Sequence, residues 1–312
     1  MPTLNFDKHK DARPVAVVRG GDQDGAVLYL HQNAKNLPVV KKDIKAVKYE
    51  SDLAHLKPQE RVKALQDIID AVNDGKEEFD GDNKSKAVFK RIKNDSENDK
   101  VIELPDDSSF QPIPNPDPKC REVYYVAGQS GSGKSYFARG IAENYKKLFP
   151  EREVYLISKL EEDETLDKMK VGKPKRISIQ SLVDDPPELS EFDDCLVIFD
   201  DWDTLNKPYF EVVHKLIEDL AIMGRHTRTS MLILSHHLSN YKKTRLVLNE
   251  AHYLVLYPMA TAFKALKYVC EMYGGLDKEH IASLKKLGRW VLISKNYPSY
   301  VISAHEAFMP HC

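Results

Sequence analysis

Cysteine is scarce. The 312-residue chain has four, Cys120, Cys195, Cys270 and Cys312, far apart and without a C-x-x-C pair. That spacing argues against a disulfide scaffold or a cysteine-rich zinc site, and a reducing intracellular compartment is expected. Glycine (14) and proline (17) are too few for a fibrous chain. No apolar run reaches the roughly 20 residues that cross a bilayer, so no membrane segment is expected. The opening MPTLNFDKHK carries no hydrophobic signal core. Charge of one sign is lacking too: 46 Lys+Arg against 48 Asp+Glu leaves −2, which excludes a globally basic coat protein for nucleic acid. What is present, 42% hydrophobic and 30% charged residues, suffices for a sizeable core in two domains, or in one large domain with an appendage.

The near-neutral total hides an asymmetry. Residues 225–312 hold 12 Lys/Arg against 5 Asp/Glu, a surplus of +7, with seven histidines, while the rest of the chain has 34 basic and 43 acidic residues, a net −9. The C-terminal third is therefore biased toward an anionic partner, or simply has a solvated helical surface.

Residues 1–103 read as a small α+β region: β-prone runs at 15–19 and 26–30 around Gly20-Gly21-Asp22-Gln23-Asp24-Gly25, then an amphipathic helix over 58–73. Residues 74–100 are charged and poor in large apolar side chains. Five prolines between 104 and 118 predict a stiff extended linker, which places a domain boundary there. From 119 to 312 strand and helix alternate. Strands are expected at 123–127, 154–158, 177–179, 196–199, 231–234, 253–257, 290–294 and 300–303. Helices are expected over 134–148, from 210 to 221, and near 243–251, 262–272 and 278–286. The implied class is α/β, a mostly parallel sheet with helices on both faces.

Gly128-Gln129-Ser130-Gly131-Ser132-Gly133-Lys134-Ser135 matches G-x-x-x-x-G-K-[ST] in full, between an apolar strand and an amphipathic helix. Its glycines let successive backbone N–H groups face phosphate oxygens beside a helix N-terminus. Lys134 would reach the β- and γ-phosphates as a mobile cation, and Ser135 would offer its hydroxyl to Mg²⁺. Cys195-Leu196-Val197-Ile198-Phe199-Asp200-Asp201 is an apolar strand, expected beside the P-loop strand, that ends in carboxylates. Asp200 would serve the Mg²⁺ shell, and Asp201 would orient an attacking water.

The strand over 231–234 ends in Ser235-His236-His237, whose tip should lie between those two motifs. His236, and more weakly Ser235, would sense the γ-phosphate or position water, unless the histidine is merely structural. Gly224-Arg225-His226-Thr227-Arg228 offers an arginine finger for a neighbouring subunit's nucleotide, Arg225 ahead of Arg228, or a cation at a helix C-terminus. Tyr241-Lys242-Lys243-Thr244-Arg245 suits nucleic-acid backbone or a solvated helix start. Glu161-Glu162-Asp163-Glu164 suits a metal or, more simply, an exposed helix start.

On these motifs, residues 121–303 resemble the P-loop ATPases of large double-stranded DNA viruses. They are similar in particular to the poxvirus-type genome-packaging ATPases of the FtsK–HerA superfamily. The matching residues are the P-loop, Phe199-Asp200-Asp201, and Gly224-Arg225-His226 leading into Met231-Leu232-Ile233-Leu234-Ser235. The chain departs from that pattern with Asp201 where Glu is usual and His236 where Gln is common. The resemblance implies a RecA-like (ASCE) fold and ATP hydrolysis with Mg²⁺ in a homo-oligomeric ring on double-stranded DNA. Residues 1–118 would then contact virion proteins, with the host cytoplasm or the virion as location. Two other readings stay open, a P-loop phosphotransferase and a nucleotide-binding structural virion protein with little turnover. A GTPase is disfavoured because Asn206-Lys207-Pro208-Tyr209 lacks the guanine-reading aspartate.

Overall fold

The structure is a computed structural model, and it describes residues 2–10, 12–32, 49, 51–98 and 101–310. Asp99 and Lys100, at the end of the charged stretch, and Cys312 lie outside the described residues. The chain divides into two compact units. One comprises 31–102 with the first three residues and Cys312; the other comprises 4–30 and 103–311. The expected grouping therefore changes, because the N-terminal hairpin belongs with the large α/β unit and not with the helices that follow it.

In the smaller unit, α1 (Pro58–Asn73) buries Leu65, Ile68 and Ile69 against Val88, Phe89 and Ile92 of α2 (Asn83–Asn98). The second helix was not expected from so charged a sequence. Its apolar stripe is only three side chains wide, yet all three are buried, and Asp82 starts it by accepting from the N–H groups of Lys84 and Ser85.

In the larger unit the hairpin strands β1 (Ala12–Arg19) and β2 (Val27–His31) precede β3 (Ser109–Pro112), which pairs antiparallel with β1. Part of the expected linker is thus a strand. It lies at a sheet edge, where proline costs no ladder bond, and it buries Phe110.

The large sheet follows: β4 (Val123–Ala127), α3 (Lys134–Leu148), β5 (Val154–Ser158), β6 (Lys175–Ile177), α4 (Ile179–Asp184), β7 (Leu196–Asp200) and α5 (Tyr209–Met223). Then come β8 (Ser230–Ser235), α6 (Arg245–Glu250), β9 (Tyr253–Leu256), α7 (Phe263–Met272), α8 (Lys278–Ser283), β10 (Val291–Ser294), β11 (Tyr300–Ser303) and β12 (Glu306–Phe308). Within this unit the strands run β12-β11-β10-β9-β4-β8-β7-β5-β6. The six from β9 to β6 are parallel, and β10 to β12 extend the sheet antiparallel.

Central strands buried on both faces read as unbroken apolar runs, which is why β4, β7 and β8 were legible. Val123, Tyr125, Val197, Phe199, Met231 and Ile233 pack with α5, α6, α7 and α8 on one face. Helix α3 packs against β4, β7 and β8 and buries its own separate set, Phe137, Ala138, Ile141 and Tyr145, on the other. One expectation needs correction. Strand β7 is not beside the P-loop strand; β8 is inserted between them, paired in register to both.

Candidate functional site

The loop after β4 is shaped by its glycines. A Cβ on Gly128 would lie 2.7 Å from both Ser132 Oγ and a ring carbon of Tyr257, so only glycine fits. Gly133 has φ +108°, a left-handed conformation that turns the chain into α3. The N–H of Gly128 donates to Ser235 O at 3.1 Å, which ties the loop to the tip of β8.

Lys134 is only 7% exposed, and its Nζ donates to Gly128 O at 2.8 Å and Gln129 O at 3.3 Å. Burial lowers its pKa, and Asp200, Asp201 and Asp203 oppose that shift. The hydroxyl of Ser132 is buried without a hydrogen-bond partner among the described residues.

Strand β7 delivers Asp200 almost fully buried. Burial pushes its carboxyl up to about 7, reinforced by the neighbouring charges of Asp201 and Asp163 and opposed by Lys134. A concentration of carboxylates with one ammonium nearby suits a divalent cation. Among the described residues no group of three or more His, Cys, Asp or Glu side chains converges as a metal cage.

Asp201 adopts a left-handed conformation (φ +53°), which swings its carboxylate toward β8, where His236 Nε2 donates to Oδ1 at 2.7 Å. The structure therefore brings Asp201 and His236 into one dyad. Asp203, in the short turn after it, is buried, and its Oδ2 accepts from Ser235 Oγ (2.8 Å), His236 N (2.8 Å) and His237 N (3.3 Å). Its Oδ1 has no partner among the described residues. Ser235, His236 and the acid loop are thus one hydrogen-bonded unit at the strand tips.

Two residues escaped the sequence reading. Asp203 looked like part of an ordinary loop, although its spacing of two from Asp201 was a usable signal. Arg289 had none: it precedes β10, and only the folded sheet brings its Nε to Ser132 O (2.7 Å) and its Nη2 to Gly131 O (2.9 Å). It also lines a cavity of about 220 Å³ with the loop residues 129–132, Tyr257, Met259 and Ala260.

Other expected residues lie elsewhere. Arg225 is exposed beyond the C-terminus of α5, at the end of the sheet where β8 begins, and so stands away from the acids at the far end of β8. It makes no hydrogen bond or ion pair among the described residues. Arg228, by contrast, is committed to Asp194, with Nε donating to Oδ1 at 2.8 Å and Nη2 to Oδ2. That pairing makes it a structural brace. Glu161, Glu162 and Glu164 are exposed, and Asp163 caps the following turn through Thr165 N and Leu166 N.

No protein-family model matches the chain. Uncharacterized protein V3 of Sputnik virophage is 35% identical over 199 residues, spanning 62% of this chain and 80% of V3. Among solved structures, B204, the DNA-packaging ATPase from Sulfolobus turreted icosahedral virus, superimposes with a TM-score of 0.41 at 12% identity. It covers 62% of this chain and 100% of B204. The pCW3 conjugation coupling protein TcpA with ATPγS gives a TM-score of 0.40 at 13% identity, over 94% of this chain and 77% of TcpA.

Proposed function

The chain belongs to the family of Sputnik virophage protein V3, and for this member we propose an ATP-binding, ATP-hydrolysing motor that acts on double-stranded DNA, as in packaging a viral genome. The observation that carries the reading is the convergence at adjacent strand tips of the P-loop lysine, buried Asp200, half-buried Asp201 and His236.

The loop's N–H groups and Lys134 hold the triphosphate, with Ser132 Oγ as a further donor. Ser135 and Asp200 hold Mg²⁺, which supplies neutralisation of charge on the phosphate oxygens. Asp201 accepts a hydrogen bond from the attacking water, and His236 fixes the carboxylate's direction. Asp203 keeps His236 in place through the backbone of β8's tip. A shorter acid than Glu leaves the water closer to the backbone, and the histidine compensates by orienting it rigidly.

Arg225, exposed and unpaired among the described residues, supports a homo-oligomeric ring in which it reaches a neighbour's nucleotide. No described helix is long and apolar enough to cross a membrane. A place in the host cytoplasm or the virion, with residues 1–118 meeting virion proteins, completes the proposal.

Phosphate release measured with ATP and Mg²⁺, with and without duplex DNA, tests it. Turnover that rises with DNA and stops with EDTA is expected. Release only in the presence of an added acceptor would replace the motor by a phosphotransferase, and binding without turnover would replace it by a structural role.

A further inference from the structure

The loop between β8 and α6 presents an unusual surface. Tyr241 is 75% exposed, yet it is held in place: Arg245 Nη1 donates to its hydroxyl oxygen at 2.7 Å, and the guanidinium lies 5.0 Å from its ring centroid. Lys242 beside it is exposed. Tyr268 of α7 is 46% exposed and stands edge-on to Tyr273, 6.3 Å between centroids. Burial and then Tyr268 push the Tyr273 phenol up, and the Arg245 charge opposes that shift. Phenol hydroxyls, a guanidinium with spare N–H groups and an ammonium make a face of donors. The nearest acidic side chain on α7, Glu271, is already paired with Lys267. Such a face complements phosphate oxygens, and planar groups tolerate any sequence.

The same loop is stiff and leads straight into the acid site. Asn240 N–H donates to Thr244 Oγ1 at 2.8 Å, Thr244 N–H returns to Asn240 O at 2.8 Å, and Thr244 is fully buried. Between them Lys243 turns inward. Its Nζ donates to Asp203 O at 3.0 Å and sits 4.6 Å over the Phe210 ring, while His214 Nε2 donates to Lys243 O at 2.9 Å. Asp203 in turn holds Ser235 and His236, and His236 holds Asp201. Lys242 and Arg245 are thus exposed, while Thr244 is buried and Lys243 ties the segment through Asp203 to the water-positioning dyad.

We infer that Tyr241, Lys242, Arg245 and Tyr268 form the surface that grips the phosphate backbone of duplex DNA, and that Lys243, through Asp203, transmits that contact to the His236–Asp201 dyad. The inference rests on the motor reading above and specifies where its DNA lies and how it is felt. Lys243 acts as a positioning residue; it touches neither DNA nor nucleotide.

The test uses the full chain and a labelled duplex of arbitrary sequence, with anisotropy measured across a salt series and phosphate release at saturating duplex. The double variant Tyr241→Ala/Arg245→Ala should lose at least about tenfold in affinity, and its salt slope should fall by about one. Lys243→Met should bind duplex as the wild type does, while the ratio of DNA-stimulated to DNA-free turnover falls toward one. Lys243→Arg should restore part of that ratio. Wild-type affinity and salt slope in the double variant would overturn the surface, and undiminished stimulation in Lys243→Met would overturn the transmission. A wild-type chain that binds no duplex would instead remove the DNA-motor reading itself.

Discussion

The two ends of the large sheet treat a buried carboxylate in opposite ways. Where the strands begin, Glu122 is saturated: Arg13 Nη2 and Tyr253 OH bond Oε1 at 2.7 Å, and Tyr124 OH (2.6 Å) and Asn115 N (3.0 Å) bond Oε2. Where the strands end, Asp203 keeps one oxygen unpaired, and Asp200 stays crowded by other acids. Nearby, Ser132 Oγ, Tyr257 OH and Trp202 Nε1 are also buried without partners among the described residues. A buried polar group left unsatisfied costs about 1–3 kcal/mol, so a cluster of them is tolerated where something else completes the bonding. The saturated end holds β1 to the sheet. At the other end, the nucleotide proposed above would complete the bonding.

Breaking the unsatisfied end should cost activity and little stability. Lys134→Ala is expected to lose detectable turnover and tight ATP binding, with thermal melting close to that of the wild type. Removing a buried ammonium also removes its burial cost. Ordinary turnover would refute the nucleotide assignment. Arg225→Ala should bind ATP normally and hydrolyse it about 10³–10⁵-fold more slowly, the usual worth of a finger. Mixed with Lys134→Ala it should recover part of the activity, since some interfaces then pair an intact Lys134 with an intact Arg225. A mixture that stays dead despite subunit exchange removes the trans role.

At the saturated end the pattern reverses. Glu122→Gln should leave turnover per folded molecule unchanged but destabilise the fold by about 2–4 kcal/mol, because the amide loses an acceptor and strands the Arg13 charge. Denaturant unfolding with a phosphate-release assay reads both.

A smaller effect concerns His252, whose Nδ1 accepts from Val123 N–H at 2.9 Å in the same region. Burial, then the Arg121 charge, pushes its pKa down to about 4. The folded form therefore resists a proton that the unfolded chain accepts from about pH 6.5. Its contribution is complete above that value and is lost as pH falls toward 4, by up to about 1.4 kcal/mol per pH unit. Unfolding curves for His252→Asn should have a flatter pH dependence than the wild type between those limits. An unchanged slope would show that the imidazole is not involved.

What the sequence made legible were contiguous patterns. The P-loop, the strand ending at Asp200 and the strand ending at Ser235 are each one apolar run with its chemistry at the end, and the structure has all three. The insertion of β8 between β4 and β7 depends on pairing between segments far apart in sequence, which local pattern does not encode. The same holds for Arg289 on the P-loop, and for Arg13 bonded to Glu122 across 109 positions. Helix α2 was hidden because three buried side chains among sixteen residues give a weak periodic signal. Strand β3 was hidden by prolines that a sheet edge accepts.

The proposed motor requires the strand-tip acids to drive hydrolysis of bound ATP. Equilibrium ATP binding and single-turnover phosphate release, measured on the same preparations of Asp200→Asn and Asp201→Asn, address that directly. Asp200→Asn is expected to weaken Mg²⁺-dependent binding, whereas Asp201→Asn should hold ATP as tightly as the wild type and release phosphate at least about 10²-fold more slowly. Wild-type release from Asp201→Asn, or indistinguishable behaviour of the two variants, would contradict it.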